Sequence, residues 1–182
     1  LTLDSSVSFT GNSAANQGGA IYASYITNED QSLNVAELVI DGSTFENNIA
    51  LHGGAISART SSVLEINNTI FKNNATPEAK AENNDGGGAI FSDFATINIS
   101  DTVFEGCNSG YCGGALKLQG CDLSIDGVEF KDGSAVNGGA IYASHGKITV
   151  KNSTFNNNDA SYGGAIFVVG NIELIAENSV FN

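Results

Sequence analysis

Apolar residues along this chain come in short alternating pairs. Leu38/Ile40, Leu64/Ile66, Ile97/Ile99, Leu123/Ile125 and Ile148/Val150 each lie seven and five positions before a Phe. Alternation with period two predicts strands that bury one face. A second apolar run follows a glycine pair, as in Ala140-Ile141-Tyr142-Ala143. No stretch shows the three-to-four-residue spacing of an amphipathic helix.

The pattern repeats. Gly-Gly-Ala-Ile/Leu occurs six times, starting at Gly18, Gly53, Gly87, Gly113, Gly138 and Gly163, at spacings of 35, 34, 26, 25 and 25. Between these strings fall Phe9, Phe45, Phe71, Phe104, Phe130, Phe155 and Phe181, seven of the ten Phe residues. The glycine pair precedes the next Phe by 17 or 18 residues in five turns and by 27 in the first, which places an insertion at about residues 25–34. Phe precedes the next pair by eight or nine residues in five cases and by 16 after Phe71, which places a second insertion at 75–83. The underlying period is therefore about 25.

A lone trio of short strands cannot bury its apolar face, whereas stacked copies can. Leucine-rich and helical repeats do not fit the pattern, and a propeller blade needs about 40 residues. The expected fold is all-β: a single-stranded parallel β-helix (β-solenoid), right-handed, of about seven coils. Residues 1–182 read as one domain. At a strand spacing of ~4.8 Å, seven coils make a rod roughly 30–35 Å long.

In that frame each repeated position becomes a column. The seven Phe should point inward and stack, each burial contributing about 1.5–3 kcal/mol. The glycine pairs mark corners that need positive φ or close backbone approach. Asn47/Asn48, Asn73/Asn74 and Asn157/Asn158 follow the Phe by two and three positions. They suit turns and can bond amide to amide between coils; calcium is the alternative, but the calcium-binding nonapeptide is missing. The residue after Phe reads Glu46, Lys72, Glu105, Lys131 over four consecutive coils, and is expected to form an outward charge ladder. A second column, Tyr22, Ser57, Phe91, Lys117, Tyr142, Phe167, is expected to face solvent, with Tyr142 and Phe167 as an exposed aromatic patch and possible surface contact.

Gly-Gly-Ala-Ile paired with Phe-x-x-Asn resembles the repeat of the chlamydial polymorphic membrane proteins. Phe9–Asn12, Phe45–Asn48, Phe71–Asn74 and Phe155–Asn158 match the second motif, while Cys107 and Gly133 replace its Asn after Phe104 and Phe130. The resemblance covers nearly the whole chain. It implies a β-helical passenger exported to the cell surface and acting in adhesion.

Composition narrows the function. The formal net charge is −13, with only seven basic residues against 20 acidic ones. That leaves no basic stripe for nucleic acid and no attraction to an anionic membrane. No apolar run reaches the ~20 residues that span a bilayer, so no membrane insertion of this segment is expected. Acids are not grouped as a polysaccharide-cleaving site requires: Asp122 and Asp126 straddle one strand, and Glu29 and Asp30 lie in an insertion. His52 and His145 occupy different phases of the coil. No catalytic residue, metal site or cofactor is expected.

Cys107 and Cys112 flank one turn and could form a disulfide in an oxidising compartment, with Cys121 left over; three buried thiols are the alternative. Four sequons, at Asn67, Asn74, Asn98 and Asn152, offer possible glycosylation, though chance alone supplies about four in so Asn-rich a chain. Both ends fall at nearly the same phase of the coil. The chain therefore reads as part of a longer solenoid, or as a subunit that stacks end to end into a filament. The expectation is a non-enzymatic extracellular or cell-surface protein, an adhesin segment or fibre subunit, meeting a host-cell receptor, a glycan or neighbouring copies. The rival reading is a carbohydrate-active enzyme on the same scaffold.

Overall fold

The computed structural model describes residues 1–28, 33–34, 36–60, 62–80 and 85–182. It is an all-β parallel solenoid. Coils stack in register, so each residue pairs with its repeat equivalent one coil away. A seven-stranded sheet runs from Ser8–Thr10 to Val180–Phe181 and carries the Phe column. A ten-stranded sheet holds the strands that follow the glycine pairs and those that precede the Phe. These are separate in early coils, as Ile56–Ala58 and Val63–Asn67, and continuous in later ones, as Leu116–Asp126, Ile141–Lys151 and Ile166–Glu177. A four-stranded sheet contains Ala75–Thr76, Asn108–Ser109, Ser134–Asn137 and Asp159–Tyr162.

Ala75 and Thr76 thus belong to the coil itself. The second insertion begins after them rather than at Ala75, because their backbone pairs with Asn108 and Ser109. Its residues 81–84 lie outside the described residues. Most of residues 29–35 in the first insertion, including Glu29 and Asp30, also lie outside them. The flanks of that insertion, Ile26–Thr27 and Leu33–Asn34, form the one antiparallel pair among the described residues.

The core is a set of columns. Phe9, Phe45, Phe71, Phe104, Phe130, Phe155 and Phe181 stack with ring centroids 4.6–4.9 Å apart and interplanar angles of 4–11°. Leu38, Leu64, Ile97, Leu123 and Ile148 form a second buried column, and Ile40, Ile66, Ile99, Ile125 and Val150 a third. The spacing of the Phe rings matches the ~4.8 Å between hydrogen-bonded strands, so backbone pairing and ring packing are satisfied together.

Polar columns close the turns. The Asn12 side-chain amide donates to Asn48 Oδ1, and that of Asn48 to Asn74 Oδ1, each at 2.9 Å. Asn48 and Asn74 also donate to the carbonyls of Phe9 and Phe45, one coil back. Cys107 continues the ladder in sulfur: its thiol donates to Phe71 O at 3.6 Å and accepts from the backbone and side-chain N–H of Asn74. Gly133 then interrupts it, and Asn158 resumes with a bond to Phe130 O. A second ladder of hydroxyls, including Thr69, Thr102 and Ser153, bonds carbonyls two residues back.

The expected Cys107–Cys112 disulfide does not form. All three cysteines are free and buried. Cys107 faces the Asn ladder, while Cys112 faces the Asn137 amide, so the two thiols serve different turns. Burial pushes the Cys107 thiol up to about 12 and raises Cys112 and Cys121 as well.

Two outcomes test these columns. Phe71→Ala, in the middle of the stack, should cost about 3–5 kcal/mol, read as a lowered urea midpoint, whereas Phe181→Ala at its partly exposed end should cost far less. Cys107→Asn should preserve stability by restoring the amide, whereas Cys107→Val should cost about 1–3 kcal/mol, because it removes the acceptor beside the Asn74 backbone N–H while the Asn74 amide keeps Phe45 O.

Candidate functional site

Two outward columns meet across each glycine corner. One is the residue before the pair: Gln17, His52, Gly86, Cys112, Asn137 and Tyr162. The other lies four residues after the first glycine: Tyr22, Ser57, Phe91, Lys117, Tyr142 and Phe167. The turn between them is too tight for a side chain. A Cβ on Gly53, at φ 62°, would lie 1.9 Å from the Ile56 carbonyl oxygen. The two columns are therefore drawn together and touch diagonally from coil to coil. Ser57 Oγ donates to Gln17 Oε1 at 2.6 Å, and the His52 and Phe91 rings lie 4.8 Å apart.

This corrects the expectation that the second column faces solvent throughout. Tyr22 is exposed, but Ser57, Phe91 and Lys117 are at most 1% exposed. The middle of the seam is a buried, charged cluster. Phe91 is flanked by two cations: the Arg59 guanidinium carbon lies 5.1 Å and the Lys117 ammonium 5.3 Å from its centroid. Lys117 is also 5.9 Å from the Tyr142 ring. Arg59 Nε pairs with Asp93 Oδ2 at 2.7 Å, and Asp93 Oδ1 accepts the Thr60 N–H at 2.7 Å. His52 Nε2 lies 3.2 Å from Asp85 Oδ1. The other Asp85 oxygen accepts the Lys80 N–H, which anchors the end of the second insertion.

Burial sets the protonation states. Desolvation lowers the Lys117 pKa to about 8. It also lowers that of His52, and Asp85 opposes that shift only in part. His52 Nδ1 is buried without a hydrogen-bond partner, so a proton added there would be a buried donor with nothing to receive it. Cys112, beside Lys117, is held as a thiol by its burial. The cluster holds charge in a buried seam, and the depressed Lys117 amine is fully buried there, closed off from any substrate. No group of three potential metal ligands occurs among the described residues.

Tyr142 and Phe167 stack at 5.5 Å as the continuation of the seam, and both are partly exposed. Glu46, Lys72, Glu105 and Lys131 share one row, in register. Glu105 bridges Lys72 at 3.1 Å and Lys131 at 3.2 Å, while Glu46 lies beyond ion-pair distance of Lys72. Those two lysines hold the Glu105 carboxyl below its usual range. Asp122 and Asp126 are exposed and bonded to the next coil, through Lys147 N–H and the Asn152 amide. His52 and His145 lie in different columns.

Asn74 cannot accept a glycan in this fold, because it is fully buried and its amide nitrogen is engaged by Phe45 O. Asn67 and Asn98 are half-buried on the broad sheet, and Asn152 is exposed at a corner.

Sequence reasoning missed the buried cluster. The available signal was compositional: the sole Arg and a Lys set between two inward leucines, in a column otherwise of hydroxyl and aromatic residues.

Comparison with known proteins agrees with the architecture. The model of the Chlamydia polymorphic membrane protein repeat matches residues 6–24, 42–59, 68–93 and 152–169. The chain is 32% identical over 194 aligned positions to "Probable outer membrane protein PmpF" of Chlamydia trachomatis, covering 91% of this chain and 18% of that protein. It is 29% identical over 141 residues to "Metabotropic glutamate receptor-like protein R" of Dictyostelium discoideum, covering 77% and 8%. It is 31% identical over 104 residues to "Probable autotransporter YfaL" of Escherichia coli, covering 53% and 8%. The chain thus spans less than a fifth of the length of each of these relatives. No solved structure matches. The chain is a β-solenoid repeat protein resembling surface proteins of the polymorphic membrane protein type.

The cluster carries a pH signature. His52 has a folded pKa below its ordinary 6.5, so the stability its neutral form contributes is fully present above 6.5 and is lost as pH falls from there through the lower folded value. The difference in stability between pH 7 and pH 5 should therefore shrink in His52→Gln, a side chain that the same column already accepts at Gln17. Urea midpoints of the two proteins at both pH values measure this.

Proposed function

We propose that this chain is a non-enzymatic segment of an extracellular surface protein, whose long coil faces serve attachment to a receptor, a glycan or neighbouring copies. The observation that carries this reading is the use of polar residues. The carboxylates that meet a cation on the coil surface are tied from coil to coil, as in Lys72–Glu105–Lys131, Lys147–Glu173 and Lys151–Glu177, rather than gathered around a cleft. Of the charged groups that do gather, around Phe91, Lys117, Asp85 and Asp93 are buried and Arg59 is partly exposed. The similarity to PmpF, a "Probable outer membrane protein", and to YfaL, a "Probable autotransporter", supports a surface location. The Tyr142–Phe167 pair is a contact of the kind such a protein offers. Further coils beyond either end, or copies stacked there, would extend the same columns.

The purified chain should bind cells saturably and leave acidic and neutral polysaccharides intact. Product release from any of them, abolished by a single carboxylate-to-amide substitution, would replace this reading with a polysaccharide-cleaving enzyme.

A further inference from the structure

We propose that the corner at Phe94, together with the shallow groove just beyond it, is a binding site for a neutral oligosaccharide; this rests on the attachment reading above and names its ligand class.

The corner between the two halves of the ten-stranded sheet requires positive φ. Thr60, Phe94, Gly120, His145 and Gly170 occupy it in successive coils at φ 42°, 51°, 63°, 58° and 79°. Glycine meets that demand without strain, as it does in two of these coils. A Phe there pays backbone strain, and Phe94 is also 66% exposed. Neither cost is offset by core packing. The ring does, however, have a fixed seat. It lies across Gly120, where an added Cβ would come within 2.8 Å of two ring carbons. His145 lies across Gly170 in the same way, with an added Cβ 2.6 Å from its Cε1. The corner thus presents two flat rings two coils apart, about 9.6 Å along the axis.

The groove starts two residues past this corner. Thr96, Asn98, Asp122, Ser124, Lys147 and Thr149 line a depression of about 150 Å³, with Leu123 also bordering it. Asn98 Nδ2 donates to Glu65 Oε1 at 2.7 Å, and Asp122 Oδ1 accepts the Lys147 N–H at 3.1 Å. The Lys147 ammonium pairs with Glu173 at 3.3 Å. These bonds hold the polar groups in place across three coils. Hydroxyl, amide and carboxylate groups beside a flat ring are the chemistry that a sugar recognises: its C–H face packs on the ring, and its hydroxyls exchange hydrogen bonds with the groove. A net charge of −13 disfavours polyanionic glycans, so the ligand class is neutral. A depression this small is below the size of an enclosing ligand pocket. Single-site affinity should therefore be weak, on the order of millimolar, with avidity supplied by repeated presentation.

Phe94→Gly is the discriminating variant, because glycine relaxes the corner and the fold is retained while the ring is lost. In saturation-transfer NMR of the intact chain with a panel of neutral and acidic oligosaccharides, a neutral member should bind. Phe94→Gly should weaken it at least about tenfold, and Asn98→Ala should also weaken it. Two results would overturn the site: no neutral glycan bound at millimolar concentration, or binding unchanged in both variants. Cell attachment is read separately. Attachment that survives Phe94→Gly alongside absent glycan binding sinks the site and leaves the attachment reading standing. Failure of the unaltered chain to attach to cells sinks the reading itself, whatever the glycan panel shows.

Discussion

Parallel, in-register stacking at one strand spacing is the constraint on which every other feature of this protein depends. Each side chain has its repeat equivalents as its nearest lateral neighbours, about 4.8 Å away on either side. A residue type can persist in a column only if it tolerates its own kind at that distance. Phenylalanine does, by ring stacking. Leucine and isoleucine do, by apolar contact. Asparagine does because one amide both donates and accepts, and so bonds a copy of itself. Lysine and glutamate do not, and they alternate: Lys72–Glu105–Lys131 replaces like with unlike.

This constraint decides how much of the fold was legible in the sequence. Columns of self-compatible residues leave a period, so the strands, the inward Phe stack and the position of the corners followed from spacing alone. The Phe-to-glycine distance located the second insertion but not its first residue, because Ala75 and Thr76 resemble loop residues and are strand only by virtue of Asn108 and Ser109 opposite. Side-chain direction was also legible where burial was not. The column containing Lys117 does point away from the coil interior, yet its middle members are buried, because the tight glycine turn draws a second column against it. That is a relation between two phases of the repeat, and a period read along one column does not contain it. The disulfide expectation failed similarly: five residues of separation said nothing of which turn each thiol serves.

The same reasoning explains where acidity resides. With 20 acids and seven bases, most carboxylates have no cation to alternate with. They go to exposed strand and corner positions, where water screens them. Among the described residues only Asp85 and Asp93 are buried carboxylates, at 1% and 7% exposure, and each meets a cationic or ionisable partner. Breaking either pair would leave a buried charge uncompensated, which costs more than the pair itself contributes. The cluster thus constrains which residues the middle coils can carry, independently of any ligand.

Departures from self-compatibility therefore carry the information that the repeat does not. Cys107 in the Asn ladder is a neutral departure, since sulfur still donates and accepts. Lys117 and His52 depart at the cost of desolvation, and neighbouring charges offset part of it. Phe94 departs differently: its neighbours in the column are a threonine and a glycine, its backbone is held where glycine fits best, and its ring faces solvent. Within the scaffold that residue does no more than cover Gly120, as His145 covers Gly170. An exposed aromatic at a strained corner, seated on a glycine and bordered by an ordered polar groove, is accounted for by what it can hold from outside.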